Sequence, residues 1–130
     1  MPNTAETFAA QPQTLRQAIA FIDDNAHLDI RLTDIAAAIG VTPRTVQYTF
    51  RRHLGATPLG YLRRVRLHRA HHDLQAADPA VDTVMAIADR WRFSHPGRFS
   101  MAYKETFGTP PSSTLRTNEI AVTSGRSRRG

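Results

Sequence analysis

Residues 35–58, IAAAIGVTPRTVQYTFRRHLGATP, read as a complete helix, tight turn and second helix, and the plan returns at residues 87–111, IADRWRFSHPGRFSMAYKETFGTPP. Ile35 and Ala36 match Ile87 and Ala88, Ile39 matches Trp91, Val41 matches Phe93, and Val46, Phe50, Gly55 and Pro58 match Phe99, Tyr103, Gly108 and Pro111. The offset is 52 residues before the turn and 53 after it, so the second turn carries one added residue. Two copies joined by a long helical stretch do not build a solenoid array. They predict two equivalent heads on one rod.

In the first copy, Thr33 is placed to cap the first helix with Asp34 in its first turn, and Gly40 to supply the left-handed residue that ends it. Thr42 then caps the next helix, and Pro43 sits at its first position, where a missing N–H leaves no bond unmade. Three residues of turn between two short helices is the helix-turn-helix spacing. At about 100° per residue, Val46, Phe50 and His53 fall on one side of the second helix and Arg44, Gln47, Tyr48 and Arg51 on the other. The first set suits a core. The second combines a guanine reader, an amide that suits adenine, an aromatic ring and a phosphate contact.

Charge agrees with that division. The chain has 130 residues and a net charge of +6, and sixteen of its seventeen Lys and Arg are Arg, whose planar fork grips phosphate and guanine. From Pro43 through His72 there are seven Arg and no Asp or Glu, a field of one sign over one region. A helix face kept basic only for solubility would more often mix Glu with Lys. The expected partner is therefore double-stranded DNA. With 41% hydrophobic residues the chain can bury one modest core or two very small ones, and the repeat selects the second. There is no Cys, so no disulfide framework, thiolate zinc site or cysteine nucleophile is available. No apolar run approaches the ~18 residues of a membrane span, and the N-terminus has neither a basic nor an apolar signal region. The expectation is a soluble, cytoplasmic protein with no membrane partner.

Outward from the repeat, residues 1–12 lack periodicity and are expected to form a disordered lead or the end of a linker. A first helix follows over about residues 13–26, with Leu15, Ile19, Ile22 and Ala26 on one face, so that residues 13–57 make the first helix-turn-helix subdomain. Thr57 and Pro58 start a linker helix over residues 58–77, whose apolar Tyr61, Leu62, Val65, Leu67, Ala70 and Leu74 cover more than one stripe, as a helix docked at each end requires. Its length, roughly 30 Å, is near the ~34 Å between successive major-groove faces, and bending of the DNA would make up a shortfall. Residues 78–116 form the second subdomain, with helices over about residues 81–91 and 95–107 and a short last helix marked by Pro110, Pro111 and Leu115. On the middle helix Phe99, Ala102, Tyr103 and Thr106 should face in, and Gly97, Arg98, Met101, Lys104 and Glu105 out. That outer face is less polar than the first and has no amide reader; Met101 at most touches a thymine methyl. Residues 117–130, ending GRSRRG, are expected to be a disordered basic tail. The fold class is all-α, about seven helices in two helix-turn-helix subdomains joined by a long linker helix. Its expected core is Ile35, Ile39, Val46, Phe50, Ile87, Trp91, Phe99 and Tyr103.

These residues resemble the DNA-binding domain of the AraC/XylS family of bacterial transcription regulators, over residues 14–116. The second run is the more specific, with F, S, then G-R-F, an aromatic, K, F-G and P in order. The resemblance implies two homeodomain-like helix-turn-helix subdomains, each with a recognition helix in a major groove. By position it implies base reading by Arg44, Gln47 and Tyr48 in the first head and by His95, Gly97 and Met101 in the second. Phosphate contacts are implied from Arg51, Arg98, Lys104 and the helix N-termini near Thr33 and Asp82. Contact with RNA polymerase is implied as well. Two departures stand. Where the family usually has Gly, at the position matching Gly40, this chain has Arg92, so either Arg92 takes a positive φ at about 1 kcal/mol of strain or the second turn differs. Most members are also longer, with an effector-binding or dimerising domain ahead of this one. The chain is therefore either the cut C-terminal half of a larger regulator or a short stand-alone member; the Ala, Gln and Pro residues of the lead resemble a severed linker and favour the first, a monomer by itself and a dimer through the preceding domain.

Other classes find less support. His68 and His72 stand four apart on one helix with His71 between them, a spacing that can share a metal, but no Glu lies between them and Asp73 is the one nearby carboxylate. They read as neutral surface histidines, with no metal or other cofactor expected. No G-x-S-x-G and no phosphate-cradling Gly loop is present, so no catalytic residue is assigned and no enzyme activity is expected. The alternative is a helical protein-interaction module, RNA polymerase being one partner, with only non-specific DNA affinity. Salt- and sequence-dependent DNA binding separates the two.

Overall fold

The computed structural model describes residues 4–117, with side chains from Gln13 onward. Among these residues there are helices α1 (Thr4–Asn25), α2 (Leu32–Ile39), α3 (Pro43–Leu54), α4 (Pro58–Ala76), α5 (Val84–Arg90) and α6 (Pro96–Phe107). A seventh, α7, covers residues 111–117, and no strand occurs among the described residues. The all-α class and the seven helices agree with expectation. Two compact units divide the chain between Val65 and Arg66, within α4. The expected basic tail beyond residue 117 lies outside the described residues.

In the first unit α1, α2 and α3 each touch the other two. Ala18 and Ile22 of α1 and Ala26 just past its end, spaced four apart, are buried together with Ile35 and Ala36 of α2, Val46 and Phe50 of α3, and Leu62 of α4. Leu15 and Ile19, expected on the same face of α1, are half-buried, as is Ile39. The buried stripe follows the small Ala18 instead, because an alanine demands the least room where helices cross. Tyr61 at the start of α4 meets Phe50 edge-on at 5.6 Å between ring centroids. α1 itself begins at Thr4, through residues expected to be irregular.

The helix ends are set by local hydrogen bonds. α2 is capped by Arg31, not Thr33: Arg31 is extended at φ −114°, ψ 167°, and the Asp34 carboxylate accepts from its N–H at 2.8 Å. At the other end Gly40 takes φ 72°, the Val41 N–H donates to the Ala36 carbonyl at 3.0 Å, and the Gly40 N–H donates to Ala37 at 3.3 Å. That pair of bonds closes the orphan carbonyls of the helix and turns the chain toward α3. Thr42 then caps α3 as expected, its Oγ1 accepting from the Thr45 N–H at 3.1 Å, with Pro43 at the first position.

The second unit has a more aromatic core. Leu67, Ala70 and Leu74 of α4, Ile87 and Ala88 of α5, and Phe99 and Tyr103 of α6 are buried, with Trp91, Phe93, Phe107 and Leu115 packed around them. Ring centroids of Phe93 and Phe99 are 4.8 Å apart, and those of Tyr103 and Phe107 4.7 Å. The buried Tyr103 hydroxyl lies 2.7 Å from His71 Nδ1 and 2.7 Å from Thr114 Oγ1, so one group joins three helices. His71 is stacked on Phe107 at 3.9 Å, and His68 meets the same ring edge-on at 5.2 Å. His71 is therefore not the surface histidine expected. Thr106, expected to face in, is exposed, because the His68 and His71 rings bring the inner surface around to Phe107. Trp91 is only half-buried. Its indole N–H donates to Asp73 at 2.7 Å, and Arg90 pairs with the same carboxylate oxygen at 3.0 Å.

α5 starts at Val84, later than expected, with the Thr83 Oγ1 accepting from the Ala86 N–H at 3.0 Å. Just before it, the Asp78 and Asp82 carboxylates accept from the backbone N–H of Ala80 and Asp78 at 3.0 and 3.1 Å, holding a turn where a helix would otherwise extend. After α5 the Phe93 N–H donates to the Ala88 carbonyl at 2.9 Å and the Arg92 N–H to Asp89 at 3.0 Å, the same bonds as after α2. Arg92 adopts φ 70°, so the strained of the two alternatives is the one that occurs.

The repeat also extends further than the helix-turn-helix runs. At the offset of 52, Leu15, Ala18 and Ile22 of α1 correspond to Leu67, Ala70 and Leu74 of α4; at 53, Pro58, Tyr61 and Leu62 of α4 correspond to Pro111, Thr114 and Leu115 of α7. Pro58 and Pro111 are both fully buried. Each unit thus has four helical segments, and α4 supplies the last of one and the first of the other.

Arg92→Gly is expected to stabilise the second unit by about 1 kcal/mol and Gly40→Ala to destabilise the first by a similar amount, read as opposite shifts of the urea midpoint. A pH dependence follows from His71, whose pKa is lowered by burial and then by the neighbouring His68 and His72. The folded chain keeps this ring neutral at a pH where the unfolded chain, with an ordinary value of about 6.5, already binds a proton. The contribution is complete above about pH 6.5 and is lost as pH falls through the lower folded pKa. Thermal unfolding temperatures should be level near neutral pH and fall on acidification, with a shallower fall in His71→Gln.

Candidate nucleic-acid interface

α3 separates two sets of side chains. Val46, Thr49 and Phe50 are buried, while Arg44, Gln47, Tyr48 and Arg51 are exposed, as their angular positions predict. Tyr48 is 56% exposed, a large ring held away from the core. The cap at Thr42 and the ring of Pro43 fix where the helix starts, and so fix the direction in which Arg44 leaves its first turn. The four exposed side chains line a shallow groove of about 270 Å³ together with Thr57 and Pro58.

Thr57 and Pro58 were not expected in the groove. The signal for them was the Gly55–Pro58 spacing: Gly55 at φ 61° ends α3, and α4 begins three residues later with its first turn returned alongside the exposed face. The Thr57 Oγ1 accepts from the Gly60 N–H at 3.0 Å. No carboxylate interrupts the sequence from Pro43 to His72, so Arg44 and Arg51 stand in a field without local acidic neighbours in sequence.

α6 presents a different chemistry on the same plan. Phe99 and Tyr103 face in, and Gly97, Arg98, Met101, Lys104 and Glu105 are exposed. Position by position, Arg44, Tyr48 and Arg51 are replaced by Gly97, Met101 and Lys104. His95 stands where Thr42 does in the first copy, but its side chain makes no cap bond. The residue added to the second turn, Ser94, precedes it.

The two positions expected at helix starts are displaced from the caps. Thr33 is exposed in the first turn of α2, behind Arg31. Asp82 is half-buried one residue before the Thr83 cap, with its carboxylate engaged by the Asp78 N–H. Among the described residues no three His, Asp or Glu side chains converge as a metal would require. No helix among them is long and apolar enough to cross a membrane.

Residues 35–117 match a family described as a helix-turn-helix domain. The chain is similar to the probable thc operon regulatory protein of Rhodococcus erythropolis, with 41% identity over 108 residues covering 83% of this chain and 32% of that one. Its fold is similar to the crystal structure of a probable AraC family transcriptional regulator from Rhodopseudomonas palustris, with a TM-score of 0.74 and 34% identity over 81% of this chain and 96% of the other. The DNA-binding domain of AdpA, a global transcriptional factor solved in complex with a target DNA, shares the fold with a TM-score of 0.69 at 22% identity, over 83% and 95% of the two chains. The chain spans about a third of the length of the curated relatives it matches.

Because the two sides of α3 are separate, Arg44→Ala, Gln47→Ala and Tyr48→Ala should each change unfolding free energy by less than about 0.5 kcal/mol, whereas Phe50→Ala should cost about 3 to 5 kcal/mol. Urea unfolding of the four variants provides the check.

Proposed function

The chain belongs to the AraC/XylS family of transcription regulators and carries its DNA-binding domain, and from that premise we propose that it reads an asymmetric duplex site about two turns long, with α3 in one major groove and α6 in the next. The observation that carries this reading is the outer face of α3, where Arg44, Gln47, Tyr48 and Arg51 are exposed on a capped, acid-free helix. Arg44 is suited to the O6 and N7 acceptors of guanine, Gln47 to the N6 and N7 pair of adenine, and Arg51 to phosphate. Tyr48 adds an apolar ring against the base edges.

In the second head His95, Gly97 and Met101 lie nearest the bases and Arg98 and Lys104 nearest the phosphates. The helix starts at Arg31–Thr33 and at Asp82–Thr83 offer backbone N–H groups to the flanking strands. The AdpA domain, in complex with its own target DNA, lends support through its shared fold. α4 has nineteen residues, about 28 Å of helix, somewhat less than the ~34 Å repeat of the groove. Because the two outer faces differ residue by residue, the site has no reason to be palindromic.

Selection of bound sequences from a random duplex pool at physiological salt should enrich an asymmetric motif of about two turns. Arg44→Ala should then weaken binding by about 1 to 3 kcal/mol and relax base preference in one half of the motif alone. Uniform weakening across all sequences would reduce Arg44 to a phosphate contact, and enrichment of no motif would favour a protein-interaction module with only non-specific DNA affinity.

A further inference from the structure

Gly97 lies in the first turn of α6, and nothing among the described residues calls for a glycine there. Gly40, Gly55 and Gly108 are the glycines with positive φ among the described residues, and Gly97 is not one of them. A Cβ built on Gly97 would meet nothing within 4 Å. Glycine weakens a helix, and neither backbone conformation nor packing offsets that loss here. What a bare backbone provides is room on the outside.

One helical turn on, Met101 is 67% exposed on the same face. The corresponding residues of the first head are Arg44 and Tyr48, so the donor fork of α3 becomes open backbone in α6 and its phenol becomes a thioether. Neither Gly97 nor Met101 can donate a side-chain hydrogen bond to a base. The apolar group that a base pair displays in the major groove is the 5-methyl of thymine.

We propose that α6 reads its half-site through thymine methyl groups, with Met101 packing on the methyl and the missing side chain of Gly97 letting the base edge come close. The inference rests on the two-groove reading above and adds the means of discrimination. At Gly97 and Met101 methyl contact takes the place of the hydrogen bonds offered by Arg44 and Tyr48, while His95 keeps a polar contact beside them, so the α6 half is rich in thymine and sensitive to demethylation.

The test uses the selected duplex with deoxyuridine in place of thymidine, one half at a time. Deoxyuridine lacks only the methyl and leaves base pairing unchanged. The half whose base preferences survive Arg44→Ala belongs to α6. Deoxyuridine there should lower affinity about fourfold for each contacted methyl, the worth of one buried carbon, and much less in Met101→Ala. Gly97→Ala should raise the unfolding temperature while weakening binding to the same duplex.

Selective binding that is indifferent to deoxyuridine in the α6 half overturns the methyl proposal and leaves the two-groove reading standing. So does a selected motif with no thymine in that half, or a Gly97→Ala variant that binds as tightly as the parent. Equal affinity for selected and scrambled duplexes overturns both.

Discussion

The fold depends on two residues held in the left-handed region. In each unit the short helix must stop and the chain must turn, within three residues in the first and five in the second, so that the next helix can lie against it. Gly40 and Arg92 do this at φ 72° and 70°, and each is locked by the same pair of backbone bonds. Those bonds close the helix end, and the turn angle they enforce sets which sides of α3 and α6 are buried. Exposure of Arg44 and Gln47 is thus a consequence of backbone geometry several residues upstream. An arginine in this region carries a steric cost that a glycine does not, and the second unit holds it there beside the packed Ile87, Phe93 and Phe99.

The two units solve one packing problem with different chemistry. Ile39, Val46 and Phe50 become Trp91, Phe99 and Tyr103, and Ile19 becomes His71. Larger rings bring polar edges into the second core, and every such edge finds a partner: the indole N–H has Asp73, and the phenol has His71 and Thr114. No buried side-chain donor or acceptor is left without a bond among the described residues. The first unit packs aliphatic side chains around Phe50, while the second adds directional bonds that a one-residue slip would break.

Much of this was legible in the chain. The helix-turn-helix repeat, the Thr42 cap, the left-handed glycine and the division of α3 into two sides all follow from residue type and spacing, because each is settled within a few residues. Two local features were not readable, the Arg31–Asp34 cap of α2 and the Asp78–Asp82 turn ahead of α5, because several polar residues there could each have capped the helix; the rest depended on contacts distant in sequence. The role of His71 needs Tyr103 and Phe107 from another helix, and the exposure of Thr106 follows from where those rings lie. The correspondence of α1 with the later part of α4 was hidden because its matched residues, Ala18 with Ala70 and Ile22 with Leu74, carry little signature until their burial is seen. At the candidate interface, residue identities and the outward direction were readable, whereas Thr57 and Pro58 join the groove only through the return of the chain after Gly55.

α4 belongs to both units, with Pro58 and Leu62 buried in the first and Leu67, Ala70 and Leu74 in the second. Cores of this size are marginal when they stand alone. Because α4 is one unbroken helix, the costly first turn is formed once, and each unit draws on a longer helix than its own share would supply.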